Sequence, residues 1–272
     1  MKRIGIDANT QKPMAVETAE RTFSILQALG AEPCYAKEVS DVLGAPFQGI
    51  DGIEALLVIG GDGTILNRAC WGMQTQIPLL GINLGHVGFL NNVEVQDLEK
   101  SLERLVQDHY TIFSRAMLES KVYGEKYYAL NDFLIFKQHY SKTIDVCIHI
   151  NGVCMANFAC DGILVSTPTG STAYSLSAGG PIVAPNVNAL LLTPICPHTL
   201  SARPMLISQE DEITLQITDG HCPAAQVIVD GRCIEESFTG EEKVVVRYAE
   251  RPVRFISMYD FNFFDLARKK LY

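Results

Sequence analysis

The chain has 272 residues, 47% of them hydrophobic and 19% charged, which excludes disorder over most of its length and leaves room for one large domain or two modest ones. Its 22 Lys and Arg against 31 Asp and Glu give a formal charge of −9, so neither nucleic acid nor an anionic membrane surface is an expected partner. No apolar stretch approaches the ~18 residues of a membrane span, and the opening Met1-Lys2-Arg3-Ile4-Gly5-Ile6-Asp7 lacks the apolar core of a signal peptide. A soluble, cytoplasmic protein is the expectation.

Strand and helix signals alternate through the first part of the chain, as a parallel α/β layer requires. Ile4-Gly5-Ile6 predicts a short buried strand, and Val16, Ala19, Phe23, Leu26 and Leu29 recur at helical spacing up to Gly30, a natural helix stop. Ala55 to Ile59 predicts a buried strand that runs into Gly60-Gly61-Asp62-Gly63-Thr64. Pro78 to Ile82 repeats the signal ahead of Asn83-Leu84-Gly85-His86-Val87-Gly88, and Leu98, Leu102, Leu105 and Val106 mark a further helix. Glycine loops that follow such strands lie at the carboxyl edge of the sheet, where open α/β folds bind ligands.

From about residue 116 the pattern changes to alternation, the mark of half-buried strands. Ile144, Val146, Ile148 and Ile150 alternate with more polar positions, and Asn151-Gly152 supplies a hairpin turn. Strands are also expected at Gly162–Val165, Glu212–Ile217, Gln226–Val229 and Lys243–Tyr248, which makes this half β-rich and mostly antiparallel. The segment 251–272 carries a local charge of +3, while 1–250 carries −12. Its Phe255, Tyr259, Phe261, Phe263 and Phe264 are expected to pack back onto the body, since so much exposed aromatic surface would favour aggregation. The eight cysteines, at 34, 70, 147, 154, 160, 196, 222 and 233, form no CxxC pair and show no clustered Cys/His spacing. Buried free thiols are expected, and spacing supports no zinc site.

Two constellations carry chemistry. In Gly60-Gly61-Asp62-Gly63-Thr64 the glycines let a ligand approach backbone amides that bind phosphate oxygens, and a helix starting near Thr64 adds its positive end. An ordinary strand-to-helix turn also uses glycines, but Asp62 weighs against it. A carboxylate beside a phosphate is repelled, so it serves there to take a proton or to hold a metal. The Rossmann fingerprint fails because Leu66 stands where the third glycine belongs, and the Gly-Lys-Ser/Thr ending of a Walker A loop is missing. The second constellation runs from Asp161 to Gly180, and 14 of its twenty residues are Gly, Ser, Thr, Ala or Pro. Small residues, hydroxyls and the flat face of Tyr174 suit a polar, planar ligand. No GxSxG elbow occurs, so a serine hydrolase is not indicated.

Together with Asn83 to Leu90, Leu130-Asn131-Asp132, Leu192 to Pro204 and Val229-Asp230-Gly231, these blocks resemble the NAD kinase family over nearly the whole chain. The resemblance implies a Rossmann-like α/β domain over 1–112 with 252–272, its C-terminal tail returning to that domain, and a β-rich, β-sandwich-like NAD-binding domain over 113–251. It implies transfer of the terminal phosphate of ATP, or of polyphosphate, to the 2′-hydroxyl of the adenosine ribose of NAD, with Mg²⁺ as the divalent cation and NADP as product. Asp62 would act as general base, Gly61, Gly63 and Thr64 would shape the phosphate turn, and Asn131, Asp132 and Asp161 would bind polar parts of NAD. Thr172, Ala173, Tyr174 and Ser177 would line its pocket. Position 132 is Asp where the family more often has Glu, which keeps the charge and shortens the reach. Arg68 and Arg203 are the candidate cations near phosphate, each with a structural role as the alternative, and His86 and His198 carry little weight. The resemblance also implies a homo-oligomer, dimer or tetramer. A lipid kinase shares the glycine-Asp loop but wants an interfacial segment, and a non-catalytic dinucleotide sensor would gain nothing from Asp62.

Overall fold

Uninterrupted apolar runs build the central strands of the first unit. The computed structural model describes residues 1–85, 88–90, 93–139, 142–218, 225–239, 243–259 and 262–271. The chain divides into one unit of Met1–Ser114 with Val253–Tyr272 and a second of Arg115–Pro252. In chain order the first contains β1 (Arg3–Ala8), α1 (Pro13–Ala28), β2 (Glu32–Tyr35), α2 (Lys37–Leu43), β3 (Ala55–Ile59), α3 (Asp62–Thr75), β4 (Leu79–Asn83), β5 (Val93–Glu94), α4 (Leu98–Val106) and β6 (Thr111–Arg115). Every residue of β3 and β4 is buried, as for strands covered on both faces of a parallel sheet. Pro13 opens α1 and Gly30, at φ +78°, follows its C-cap, so local chemistry sets both ends of that helix.

The sheet order is β2-β1-β3-β4, then the returning strand Val253–Ser257, then β6, with β5 on the end of β4. The returning strand runs parallel to β4, pairing Phe255 with Leu79, so the C-terminal tail belongs to the first unit. Phe255 is buried and stacks on Phe113 at 5.6 Å, and Tyr259 lies under the Arg104 guanidinium. Phe264 departs from the expected packing and is 71% exposed. Neighbours on the helix Phe263–Leu271 point about 100° apart, so Phe263 can reach Phe89 while Phe264 faces solvent. Phe261 lies outside the described residues.

The second unit is two antiparallel sheets. Its strands are β7 (Leu118–Val122), β8 (Glu125–Ala129), β9 (Asp132–Lys137), β10 (Ile144–Ile150), β11 (Val153–Cys160), β12 (Gly162–Ser166), β13 (Ala189–Ile195), β14 (Met205–Ser208), β15 (Ile213–Ile217), β16 (Ala225–Val229), β17 (Arg232–Phe238) and β18 (Lys243–Tyr248). One sheet runs β11-β10-β15-β18-β7-β8, the other β14-β13-β12-β9-β16-β17. A single apolar core takes Val146, Ile148, Leu215 and Val246 from the first sheet and Phe133, Ile135, Ile163 and Val227 from the second, which makes the unit a sandwich. Asn151 and Gly152 both have positive φ, as a two-residue type I′ hairpin requires. Cys34 and Cys160 are buried as expected, but Cys154, Cys196 and Cys233 are exposed and Cys70 and Cys147 half-buried; all seven are free, and Cys222 lies outside the described residues. Cys147, Cys154 and Cys233 lie on strands, where alternation places every second residue away from the core, while Cys196 follows β13 and Cys70 lies in α3. Among the described residues no helix is long and apolar enough to cross a membrane.

Candidate active site

The glycines of the 60–64 loop divide between packing and access. A Cβ on Gly60 would lie 2.3 Å from Thr64 Oγ1, so Gly60 is needed for the turn to close. Gly61 and Gly63 would meet nothing within 4 Å, so their faces stand open to an approaching group. Gly61 is the N-cap of α3 and Asp62 its first residue. The first-turn amides of a helix have no intrahelical acceptor, and the dipole places partial positive charge there. Thr64 is half-buried, its N–H donating to the Gly61 carbonyl at 2.9 Å.

Asp62 is half-buried and held by the loop after β4. Phe89 N–H donates to Oδ2 at 2.8 Å and Leu90 N–H to Oδ1 at 3.4 Å. The carboxylate rests on the bare Cα of Gly88, where a Cβ would fall 1.7 Å from Oδ1. Gly88, Phe89 and Leu90 thus form a seat that fixes where Asp62 points. Asn83, at the end of β4, accepts from Gly85 N–H, and its buried Nδ2 has no hydrogen-bond partner. His86 and Val87 lie outside the described residues. Mg²⁺ prefers oxygen ligands and often binds through one or two carboxylates plus substrate phosphates. Asp62, a half-buried carboxylate at the start of α3, is a ligand of the kind that mode uses. No trio of carboxylates gathers as a protein cage among the described residues.

Arg68 faces away from a phosphate role. Its Nε lies 2.5 Å from Asp7 Oδ2 and its Nη2 3.1 Å from Glu38 Oε2. Hydrogen bonding to Asp7 holds the guanidinium pKa above its ordinary value, although burial acts against it. Arg203 is turned onto the Leu200 and Ala202 carbonyls at 2.7 Å each, and His198 N–H donates to the Ala159 carbonyl.

A second cluster, in the second unit, joins four of the motifs. Asp230, in the turn after β16, accepts from the N–H groups of Leu130, Asn131 and Asp132 at 2.8, 2.8 and 3.1 Å. It thereby shapes the turn into β9. Thr167 N–H donates to the Asn131 carbonyl and Thr167 Oγ1 to that of Leu130. A Cβ on Gly170 would lie 2.3 Å from the Asn131 oxygen, so the tight turn 169–172 packs directly on that loop. Ser175 Oγ pairs with Thr193 Oγ1 at 3.1 Å and presses on Gly180.

The residues expected to contact a ligand differ in exposure. Thr172 and Ala173 are half-buried, Tyr174 is 42% exposed and Ser177 is exposed. Asn131 is half-buried. Asp161 is half-buried and paired with Lys137 Nζ at 2.6 Å. Asp132 is buried, and desolvation followed by the nearby Asp230 charge pushes its carboxyl up to about 7. Burial also raises Asp230, while its three amide donors and Arg232 oppose the shift. Sequence reasoning missed the seat made by Gly88, Phe89 and Leu90, the clamp made by Asp230 and the Lys137 partner. The first two lay within quoted motifs that signalled importance but not a contact; Lys137 carried no signal.

The family model for the ATP-NAD kinase N-terminal domain matches residues 4–110, and that for the ATP-NAD kinase C-terminal domain matches residues 130–258. An NAD kinase of Moorella thermoacetica is 39% identical over 282 residues, covering 100% of this chain and 89% of the relative. One from Heliobacterium modesticaldum is 38% identical over 281 residues, covering 100% and 99%. A crystal structure of yeast NADH kinase complexed with NADH superposes with a TM-score of 0.87 at 24% identity, covering 100% of this chain and 87% of that one, which speaks to the fold. An NAD kinase from Archaeoglobus fulgidus in complex with ATP gives 0.74 at 26% identity, covering 94% and 93%. With both domains matched and full-length relatives above 30% identity, the chain belongs to the NAD kinase family, phosphotransferases that make NADP.

Proposed function

We propose that the chain phosphorylates the 2′-hydroxyl of the adenosine ribose of NAD, with ATP as donor and Asp62 as the base. The observation that carries this reading is the Asp62 carboxylate, held by two backbone amides on a glycine floor at the start of α3. A group so restrained loses little freedom when a hydroxyl arrives, and a carboxylate oxygen can accept the hydroxyl proton as the hydroxyl oxygen attacks phosphorus. The amides of Gly61 and Gly63 and the dipole of α3 would hold the transferring oxygens, with Thr64 shaping the turn through its bond to the Gly61 carbonyl. Mg²⁺, when bound beside Asp62, would offset the charge of the donor phosphates.

On the dinucleotide side, Asn131, Asp132 and Asp161 would hydrogen-bond the polar parts of NAD, and Thr172, Ala173, Tyr174 and Ser177 would line its pocket. The turn clamped by Asp230 and the outward position of Tyr174 support this assignment. Polyphosphate replaces ATP without changing the Asp62 chemistry, since both present a terminal phosphoryl group. A cytoplasmic location fits the free thiols, and a homo-oligomer fits the family.

Asp62→Asn keeps the shape of the side chain and removes the base. Turnover should fall by about 10²-fold or more, with NAD affinity retained and the circular dichroism spectrum unchanged. A folded Asp62→Asn protein with wild-type kcat would remove Asp62 from the mechanism.

A further inference from the structure

Phosphoryl transfer leaves unused a cluster on the solvent face of the sheet that begins β11-β10. Along β10, Val146 and Ile148 point into the core, so Cys147 and His149 point outward. The Asn151-Gly152 turn folds β11 back, and a register shift between Ile148 and His149 sets Cys154 opposite His149. Cys154 Sγ then lies 3.5 Å from Cys147 Sγ, and the His149 ring nitrogens lie 3.8 and 3.9 Å from Cys147 Sγ. One ligand atom from each of the three falls within 4.8 Å of the others, the one such grouping among the described residues.

We propose that Cys147, His149 and Cys154 bind a borderline-soft transition-metal ion of the Zn²⁺ class, with a fourth position open to water. Tetrahedral zinc, with bonds of about 2.3 Å to sulfur and about 2.0 Å to nitrogen, separates its sulfur ligands by about 3.8 Å and sulfur from nitrogen by about 3.5 Å. The separations from Cys147 Sγ lie within a few tenths of an ångström of those values, and Cys154 and His149 offer ligand atoms within 4.8 Å of each other. A disulfide needs its sulfurs at about 2.05 Å, far closer than the pair stands. Two thiolates and an imidazole suit zinc and do not suit Mg²⁺, so the site is separate in chemistry from the phosphate-bound ion. Half-burial of Cys147 and His149 and exposure of Cys154 leave an entry path and room for a fourth ligand. On binding, two metal–sulfur bonds and one metal–nitrogen bond form, both thiol protons pass to the buffer, waters leave the ion, and no electron moves.

The full chain, stripped with a chelator and kept in a phosphine reductant, would be titrated with Co²⁺ and then Zn²⁺. One equivalent of Co²⁺ should bring up a thiolate-to-cobalt charge-transfer band, and Zn²⁺ should abolish it. Cys154→Ser and His149→Ala should lose the band while keeping the wild-type circular dichroism spectrum and NAD phosphorylation, and Cys233→Ser should keep it. The proposal is overturned by a wild-type protein without the band, by a band that persists in Cys154→Ser, or by a Cys147–Cys154 disulfide under the same reductant.

Discussion

Replacing Asp132 by Asn probes the buried carboxyl pair at the heart of the second unit. Asp132 is buried beside the half-buried Asp230, and burial followed by the Asp230 charge pushes the Asp132 carboxyl up to about 7 from 3.8. In the unfolded chain it titrates near its ordinary value, so between about pH 4 and about pH 7 the folded state binds the additional proton. Stability from this group is therefore complete below pH ~4 and is lost as pH rises through ~7. About three pKa units at 1.36 kcal/mol each set an upper bound of about 4 kcal/mol. Asn has the size of the protonated acid but cannot ionise, and its NH₂ can donate to Asp230. The variant should match wild type near pH 4 and exceed it by about 1–4 kcal/mol near pH 8. Equilibrium urea unfolding of both proteins across that range, followed by hydrogen exchange at the β9 and β16 amides to isolate the second unit, reads the difference. A difference that stays constant with pH, or a variant that loses ground as pH rises, would refute the reasoning.

Gly88→Ala places a methyl group where Asp62 Oδ1 now sits, so the carboxylate must move by an ångström or more. Steady-state kinetics should show kcat reduced by about 10²-fold, with KM for NAD little changed and the fold intact by circular dichroism. Arg68→Met leaves the buried Asp7 carboxylate without its guanidinium partner and should destabilise the first unit by about 2–4 kcal/mol, measured by thermal unfolding. A loss of activity without loss of stability in that variant would instead assign Arg68 to phosphate binding.

Much of the fold is legible because its signals are local. Ala55–Ile59, Leu98–Val106, Ile144–Ile150 and Lys243–Tyr248 emerge as elements because apolar spacing and turn residues act within a few positions of each other. The short strands Glu32–Tyr35 and Met205–Ser208 and the returning strand Val253–Ser257 are not legible in that way. Each is stabilised mainly by neighbours far along the chain, and the returning strand depends on a β4 edge laid down more than 170 residues earlier.

The same division runs through the site. Residue type and order alone pointed to phosphate chemistry at the glycine loop and to a ligand at the small-residue block, since glycine frees backbone amides and a carboxylate can take a proton wherever the chain goes. Only tertiary structure decided that Gly88 is the floor under Asp62, that Asp230 clamps the Asn131 turn, and that Arg68 belongs to Asp7. It also gathered Cys147, His149 and Cys154, whose spacing suggested nothing, through a strand register that includes a shift. Hydrogen bonds and ligand contacts act over about 3 Å, and which distant residues come within that range is a property of strand pairing and packing.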